Sequence, residues 1–243
     1  MKTITMTTRI VCISDTHGEH RKLDVPEGDI LIHAGDFSNT GEEDIIADFG
    51  EWLGSLPHTY KVVVPGNHDR SFQGPLEGEM RDLIEPYAHV LIDQCERIGG
   101  FDIYGMPWSP NFYEDRWAFN QPRNSAVADI RYQAMYNAEP DIVISHTPPM
   151  GILDTCPDTH NRTREIHVGC EVFAEYLEKA KPRLAVVGHI HEAYGLHMTE
   201  YGTLVVNACN MTGRYKLKNA PIVINTGTIE RNRLQNSPIV INI

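Results

Sequence analysis

The sequence lacks the features that mark several large classes of protein. No apolar run reaches the length of about eighteen residues that a membrane-spanning helix needs, and the N-terminal MKTITMTTRI has no long apolar centre of the kind found in secretory signals. The five cysteines are scattered without a C-x-x-C pair, so neither a disulfide framework nor a thiolate zinc site is indicated. These absences predict a soluble, cytoplasmic protein without a membrane partner.

Basic residues are scarce as well. The chain has 21 Lys and Arg against 33 Asp and Glu, which gives a formal net charge of −12. Because an acidic surface repels the nucleic-acid backbone, long nucleic acids are disfavoured as partners and a small ligand is favoured. The 243 residues are 41% hydrophobic and include no linker or low-complexity segment, which predicts a single domain over residues 1–243.

Short apolar runs closed by polar residues recur along the chain and are typical of strands buried on both faces. They cover residues 9–15, 29–36, 60–69, 141–149 and 183–191. Helical patterns lie between several of these runs: after Thr40 and Glu43, which have capping-box spacing, and at 126–137 and 172–177. With a β-rich centre and a tight turn at Gly99-Gly100, the pattern predicts an α/β sandwich with mixed sheets.

A short duplication lies near the C-terminus, where NAPIVIN (219–225) returns as NSPIVIN (236–242). The two copies predict two similar edge strands, and residues 226–243 would then form an extra strand segment. Because an unpaired β-branched strand is an association hazard, we expect the second copy to be paired. Its partner could be the chain's own sheet edge or the same edge of a second subunit, which would give a two-fold homodimer.

Potential ligands follow each of the five apolar runs on its C-terminal side, where α/β sheets place their ligands. They are Asp15 with His17, then Asp36, then Asn67 with His68 and Asp69, then His146, and last His189 with His191. Each motif alone has an ordinary explanation, since Gly66-Asn67 suits a turn, Asp36 could cap a helix and His146 could be a core histidine. Five such strand ends together favour one shared metal site.

The segment GHIHEAYG (188–195) places two imidazoles two residues apart after the last of these runs. Alternation along an extended chain sends both rings to the same side, and neutral imidazole is a good ligand for divalent transition metals. For this octapeptide taken alone, a polar turn that holds two histidines is an equal alternative.

The motifs D-x-H, G-D-F, G-N-H-D, S-H-T-P-P and G-H-I-H, in this order, resemble the signature of the calcineurin-like metallophosphoesterase superfamily. The resemblance covers roughly Arg9 to Asn225, and within it the GHIHEAYG block is similar to metallophosphoesterase-domain proteins grouped with class III cyclic-nucleotide phosphodiesterases. It implies an α/β (α+β) fold, a four-layer αββα sandwich with two mixed β-sheets inside and helices outside.

The resemblance also implies two divalent transition-metal ions. Asp15, His17 and His191 would bind one ion, Asn67, His146 and His189 would bind the other, and Asp36 would bridge them. These nitrogen and oxygen donors suit Mn, Fe, Co, Ni or Zn better than Mg, and manganese is the metal expected first.

The implied chemistry is hydrolysis of a phosphate ester. Two cations about 3.5–4 Å apart can clamp the phosphate and supply a bridging hydroxide for in-line attack. His68 would face the substrate and protonate the departing oxygen as general acid, and Asp69 beside it would orient or charge the ring. The expected function is a phosphodiesterase for small phosphodiesters, with cyclic nucleotides as the expected substrates. A phosphomonoesterase or a nuclease on the same site, or a metal-free scaffold, are the alternatives.

Three residues are predicted to contact substrate: Arg70, Trp108 and His167. Residues 107–120 contain Trp108, Phe112, Tyr113, Trp117 and Phe119, which could stack on a nucleobase or bury themselves against the sandwich; we expect one or two to reach the pocket. Arg70 follows the G-N-H-D motif and suits either a phosphate contact or a salt bridge. His167 precedes Gly169 and is predicted to lie beside the pocket.

Overall fold

Two six-stranded mixed sheets form the centre of the structure, a computed structural model that describes residues 7–112, 117–158, 161, 163–226 and 240–242. The strands are β1 (Arg9–Ile13), β2 (Ile30–His33), β3 (Tyr60–Val63), β4 (His89–Val90), β5 (Gln94–Ile98), β6 (Phe101–Met106), β7 (Ser109–Pro110), β8 (Asn120–Gln121), β9 (Ile142–Ser145), β10 (Thr155–Pro157), β11 (Glu165–His167), β12 (Leu184–Val187), β13 (Gly195–Met198), β14 (Leu204–Asn207), β15 (Ile222–Asn225) and β16 (Val240–Asn242). The helices are α1 (Glu43–Ser55), α2 (Glu77–Ile84), α3 (Ala126–Asn137) and α4 (Glu171–Ala180).

Each sheet has a parallel centre; both edge strands of the second sheet pair antiparallel, and in the first sheet the antiparallel pairing is at the β16 edge. The first sheet has the order β16-β15-β1-β2-β3-β4, in which β1 to β4 are parallel and β15 joins β1 in antiparallel fashion. The second has the order β13-β14-β12-β9-β6-β5, and its four inner strands are parallel. The predicted Gly99-Gly100 turn connects β5 to β6, and both glycines have positive φ, as a type I′ hairpin turn requires.

Side-chain alternation along the strands divides the interior into layers. In β1, Ile10 and Cys12 belong to a core shared with strands of the second sheet, whereas Val11 and Ile13 pack in a core with helical residues such as Phe49. The strands of the second sheet alternate in the same way, so each sheet has one face toward the other sheet and one face toward helices. The predicted four-layer αββα sandwich is therefore confirmed.

The helices follow the sequence patterns in part. Helix α3 spans the predicted 126–137, and its N-cap Ser125 accepts a hydrogen bond from the Ala128 amide at 3.2 Å. Helix α1 begins at Glu43, but its N-cap is Glu42, whose carboxylate accepts from the Thr40 hydroxyl at 2.7 Å, so the predicted capping box is not the one that forms. No helix in the described part of the chain has the length and apolar character needed to cross a membrane.

The C-terminal duplication gives two neighbouring strands in the structure. Strand β16 pairs antiparallel with β15 of the same chain, with Asn242 opposite Val223, and it forms the edge of the first sheet. Pro238 and most of the connecting residues lie outside the described residues. The pairing within the chain is one of the two arrangements that the sequence left open.

Candidate metal centre

Five strand ends from the two sheets bring the predicted ligands to one place. Asp15 and His17 follow β1, Asp36 follows β2 and Asn67 follows β3, all in the first sheet. The second sheet contributes His146 after β9, and His189 with His191 after β12. Because all five strands are parallel central strands, their carboxyl ends open on the same end of the sandwich.

One group of ligand atoms lies around His17. Its Nε2 is 3.3 Å from the Nε2 of His191, which in turn is 3.1 Å from Oδ1 of Asp15. All three residues are at most 7% exposed. The atoms of these three residues lie close enough together to share a single ion.

A second group lies around Asp36 and His146. Nε2 of His146 is 2.9 Å from Oδ1 of Asn67 and 3.3 Å from Oδ2 of Asp36, and the His189 ring centre is 5.0 Å from that of His146. Oδ2 of Asp36 is also 4.0 Å from Nε2 of His17, so this one carboxylate lies between the two groups. The donor sets suit a binuclear divalent metal site.

The backbone at these ligands is strained. Asp15, His17, Asp36 and His189 all have φ between 44° and 67°, the left-handed region that side chains with a Cβ seldom adopt. Such conformations cost on the order of 1–3 kcal/mol each and persist where function requires them. Gly188 has a different constraint, a close approach: a Cβ there would collide with the side chains of Ser14 and Asp15.

The hydrogen bonds of two histidines provide a test of whether a cation fits. Nδ1 of His146 donates to the Ala34 carbonyl at 2.8 Å, which leaves Nε2 pointing at the oxygens of Asn67 and Asp36. Nδ1 of His191 is 3.3 Å from the Thr212 carbonyl, and its Nε2 likewise points at Asp15. The lone pair of an imidazole nitrogen repels the lone pairs of the oxygen that it faces unless a cation or a proton lies between them. In metal sites, the other ring nitrogen of a ligating histidine usually donates to a backbone carbonyl or a carboxylate. The residues therefore fit the metals.

Protonation of the isolated cluster agrees with this geometry. Burial opposes protonation of His146, but the Asp36 carboxylate outweighs it and raises the pKa of His146 to about 9. Burial lowers the pKa of His17 to about 4 and that of His189 to about 3, which keeps both rings neutral, as metal ligands must be. Burial also raises the pKa of Cys209, whose thiol donates to Oδ2 of Asp15 at 3.0 Å, so this sulfur is not a thiolate.

The two residues predicted to act in catalysis have different positions. The His68 ring is partly exposed, its centre lies 4.6 Å from the centre of the His17 ring, and its Nδ1 is 2.6 Å from the Asn39 carbonyl. Asp69 is fully buried and its carboxylate accepts four hydrogen bonds, from the amides of Gly66, Asp36 and Ser38 and from the Ser38 hydroxyl. The group that orients the His68 ring is therefore the Asn39 carbonyl rather than Asp69. Asp69 instead links the loop that contains Asp36 to the loop that contains Asn67 through its hydrogen bonds.

The predicted substrate residues are dispersed. Arg70 is exposed and its guanidinium lies over the Trp117 ring at 4.5 Å, close to His68. Trp108 lies elsewhere: it is only 9% exposed, its indole N–H donates to Asp93, and it belongs to the aliphatic and aromatic core. His167 bonds through Nδ1 to the buried Asp154 at 2.6 Å.

Aromatic rings surround the cluster: two come from the aromatic segment 107–120, and one, Tyr215, was not singled out by the sequence. Trp117 packs on His68 with ring centres 4.2 Å apart, and Phe112 lies 5.1 Å from His189. On the other side, the Tyr215 ring is 5.1 Å from His17 and 4.8 Å from His191. Tyr215 lies in the connection between β14 and β15, where no sequence motif marked it.

A cleft of about 1310 Å³ opens beside the cluster. Its lining includes Phe112 and His189 at the cluster, Ile166 and Val168 on either side of His167, and basic residues of the 212–218 segment. The cleft is large enough for a nucleotide-sized ligand.

Comparison with known proteins gives the same picture. The chain matches the calcineurin-like phosphoesterase family over residues 8–193. Metallophosphoesterase domain-containing protein 1 of Homo sapiens is 40% identical over 249 residues, which cover 91% of this chain and 72% of that protein. A UPF0046 protein of Caenorhabditis elegans is 32% identical, with 88% of this chain and 59% of that protein covered.

Solved structures agree with the architecture. A protein of Thermus thermophilus superposes with a TM-score of 0.56 at 18% identity, covering 83% of this chain and 89% of that chain. At this identity the likeness concerns the fold. Taken with the family match and the human relative, it leads to one conclusion: the chain belongs to the calcineurin-like phosphoesterase family.

Proposed function

We propose that this chain is a divalent-metal-dependent phosphodiesterase that hydrolyses small phosphodiesters, cyclic nucleotides among them. Its family supports phosphoester hydrolysis, and the choice of a diester is our own. We assign Asp15, His17 and His191 to one ion, Asn67, His146 and His189 to the other, and Asp36 to both. The lack of a thiolate favours manganese or another first-row ion.

When bound, the two cations supply Lewis acidity to the phosphate and to the attacking water. The chain's own residues hold the geometry. Asp36 fixes the separation of the two groups of ligands, and Asp69 fixes Asp36 by accepting from its backbone amide at 2.9 Å. The neutral Asn67 limits the negative charge of the site, so that an anionic phosphate can approach.

His68 carries the proposal, because it is a histidine at the edge of the cluster that is not among the assigned ligands. Its Nδ1–H is engaged by the Asn39 carbonyl at 2.6 Å, so its Nε2 is the nitrogen available to a substrate. When protonated, His68 donates its Nε2 proton to the departing oxygen, which would otherwise leave as an alkoxide.

The aromatic rings favour a diester over a monoester. A phosphodiester carries an organic group on each side of the phosphorus, whereas a monoester carries one. Phe112 and Trp117 provide an apolar surface on one side of the cluster, and Tyr215 provides another. Aromatic faces of this kind bind bases with little sequence preference.

The test is a side-by-side assay on p-nitrophenyl phosphate, bis-(p-nitrophenyl) phosphate and cyclic AMP, with each metal restored to chelated protein. We expect the diesters to be preferred in kcat/KM and Mn²⁺ to restore the most activity. His146→Ala is the matched inactive control, because it removes a ligand without touching His68. A preference for the monoester would assign the site to a phosphomonoesterase, and no hydrolysis with any metal would leave only a scaffold.

A further inference from the structure

The segment between β14 and β15 makes a rigid turn beside the metal centre. We call residues 212–218 the basic turn. The Thr212 amide donates to the Lys216 carbonyl at 2.9 Å, and the Tyr215 amide donates to the Thr212 carbonyl at 2.8 Å. The turn is anchored at both ends, by a bridge between Met211 and Leu217 and by the contact of the Thr212 carbonyl with His191.

The backbone conformation of Tyr215 indicates that this turn has a functional role. Its φ of 51° is a strained value for an aromatic residue, and its ring packs on His17 and His191. Its neighbours in the chain are Arg214 and Lys216.

The basic side chains of the turn, Arg214, Lys216 and Lys218, line the cleft. Within the described part of the chain, none of the three makes an ion pair. Elsewhere in this chain of net charge −12, several arginines pair with acids, as Arg97 does with Asp102 at 2.7 Å. Three cations on one short turn, none of them ion-paired with a described residue, provide an anion-binding surface in this acidic protein.

The rest of the cleft supports a ligand longer than a single phosphate. The β10–β11 hairpin also lines the cleft, and its Cys156, Pro157 and Ile166 form a largely apolar surface there. The carboxylates that line the cleft are those of Asp158 and Glu192. The basic turn contributes three cations, so these two carboxylates and the turn together have a net positive charge. One cleft is therefore lined both by His189 of the metal cluster and by the three cations of the basic turn.

We infer that the basic turn is a second anion subsite, and that the preferred substrates are nucleotide-like phosphodiesters carrying an additional phosphate. The inference rests on the proposed function. The scissile phosphate would lie at the metal centre, the base or sugar against the apolar hairpin, and the additional phosphate against Arg214, Lys216 and Lys218. This would let an acidic protein discriminate in favour of more highly charged small substrates.

The test compares two substrates with the same scissile bond, thymidine 5′-(p-nitrophenyl phosphate) and its 3′-phosphorylated form. We expect the manganese-loaded wild type to prefer the 3′-phosphorylated substrate in kcat/KM on the order of tenfold, mainly through KM, and the preference to decline with added salt. The combined variant Arg214→Gln, Lys216→Gln, Lys218→Gln should lose the preference. The control Lys22→Gln, Lys179→Gln, Lys181→Gln removes the same charge from other surfaces and should keep it.

A binding measurement separates this inference from the proposed function. Calorimetry with adenosine 3′,5′-bisphosphate and with AMP needs no turnover, and the bisphosphate should bind on the order of tenfold more tightly to wild type and to the control only. If neither thymidine substrate is hydrolysed but this binding difference is found, the proposed reaction fails and the subsite stands. Equal affinity for the two ligands in wild type, or a preference that survives in the turn variant, overturns the subsite.

Discussion

Replacing His68 with alanine tests the proposed catalytic role most directly. The ring is held by the Asn39 carbonyl at 2.6 Å and by packing on Trp117 at 4.2 Å, and the seven assigned metal ligands are untouched by the change. We therefore expect His68→Ala to retain about two metal ions per chain while kcat falls by the roughly 10²–10⁴ that a general acid contributes. That loss corresponds to roughly 3–5 kcal/mol of transition-state stabilisation.

The size of the loss should depend on the leaving group. A nucleoside alkoxide needs the proton, so the full deficit is expected with thymidylyl-(3′→5′)-thymidine. p-Nitrophenolate leaves without protonation, so the deficit with thymidine 5′-(p-nitrophenyl phosphate) should be less than about tenfold. His68→Asn provides a second variant that can still contact Asn39, and His197→Ala on β13 is the exposed-histidine control.

Two results would refute the reasoning. An equal deficit for both leaving groups would mean that His68 positions the phosphate rather than transferring a proton. Loss of one metal ion in His68→Ala, measured by elemental analysis, would make His68 a ligand. The structure gives this outcome a geometric basis, because a nitrogen of His68 lies within 4.8 Å of ligand atoms of His17 and Asp36.

Three further changes test the bridge, a buried histidine and the C-terminal strand. Asp36→Asn should weaken both ions by at least the roughly 10–100-fold that loss of a supporting partner costs, and a titration in which only one ion is weakened would contradict the bridge. Burial lowers the pKa of His33 to about 3, below its unfolded value, so the free energy of unfolding falls as pH falls from about 6.5 towards 3. In His33→Gln this free energy should fall less steeply, by about 1.4 kcal/mol per pH unit. Equal slopes for wild type and variant, measured by urea titrations at several pH values, would disprove this. Truncation after Asn225 removes β16 and should cost about 1–3 kcal/mol of stability with unchanged mass in solution, whereas a fall from dimer to monomer would place the pairing between subunits.

The sequence was sufficient to predict that these side chains lie together, because the relevant information is local. Each of the five apolar runs forms a central parallel strand, and a ligand placed just after such a strand has few other places to go. His146 illustrates this: it follows β9 directly, and the strand fixes its position before any loop conformation matters. The five strands together determine the site.

Loop residues could not be placed in the same way. Trp108 and Trp117 belong to one aromatic segment, and nothing local indicates that the first is buried beside Asp93 while the second packs on His68. The prediction for Asp69 relied on its position next to His68 in the chain, which did not indicate its contacts. Asp69 follows His68 in the chain, yet its carboxylate turns inward to Gly66 and Ser38, because buried loop amides need an acceptor.

The strain at the ligands and the burial of charge have a common explanation. Asp15 and Asp36 are both buried carboxylates, and burial alone would raise their pKa values; the imidazoles of His191 and His146 outweigh it and hold both pKa values below the ordinary range. The backbone strain at four residues of the proposed ligand set and the burial of two anions both lower the free energy of unfolding. In the absence of metal, the hydrophobic layers must offset this loss. Each cation would relieve the charge part of this cost, so metal binding and folding are linked. Tyr215 is strained beside the same cluster but is not among the proposed ligands, so a cation would not offset its strain. This is the strongest reason to look for its role in substrate binding.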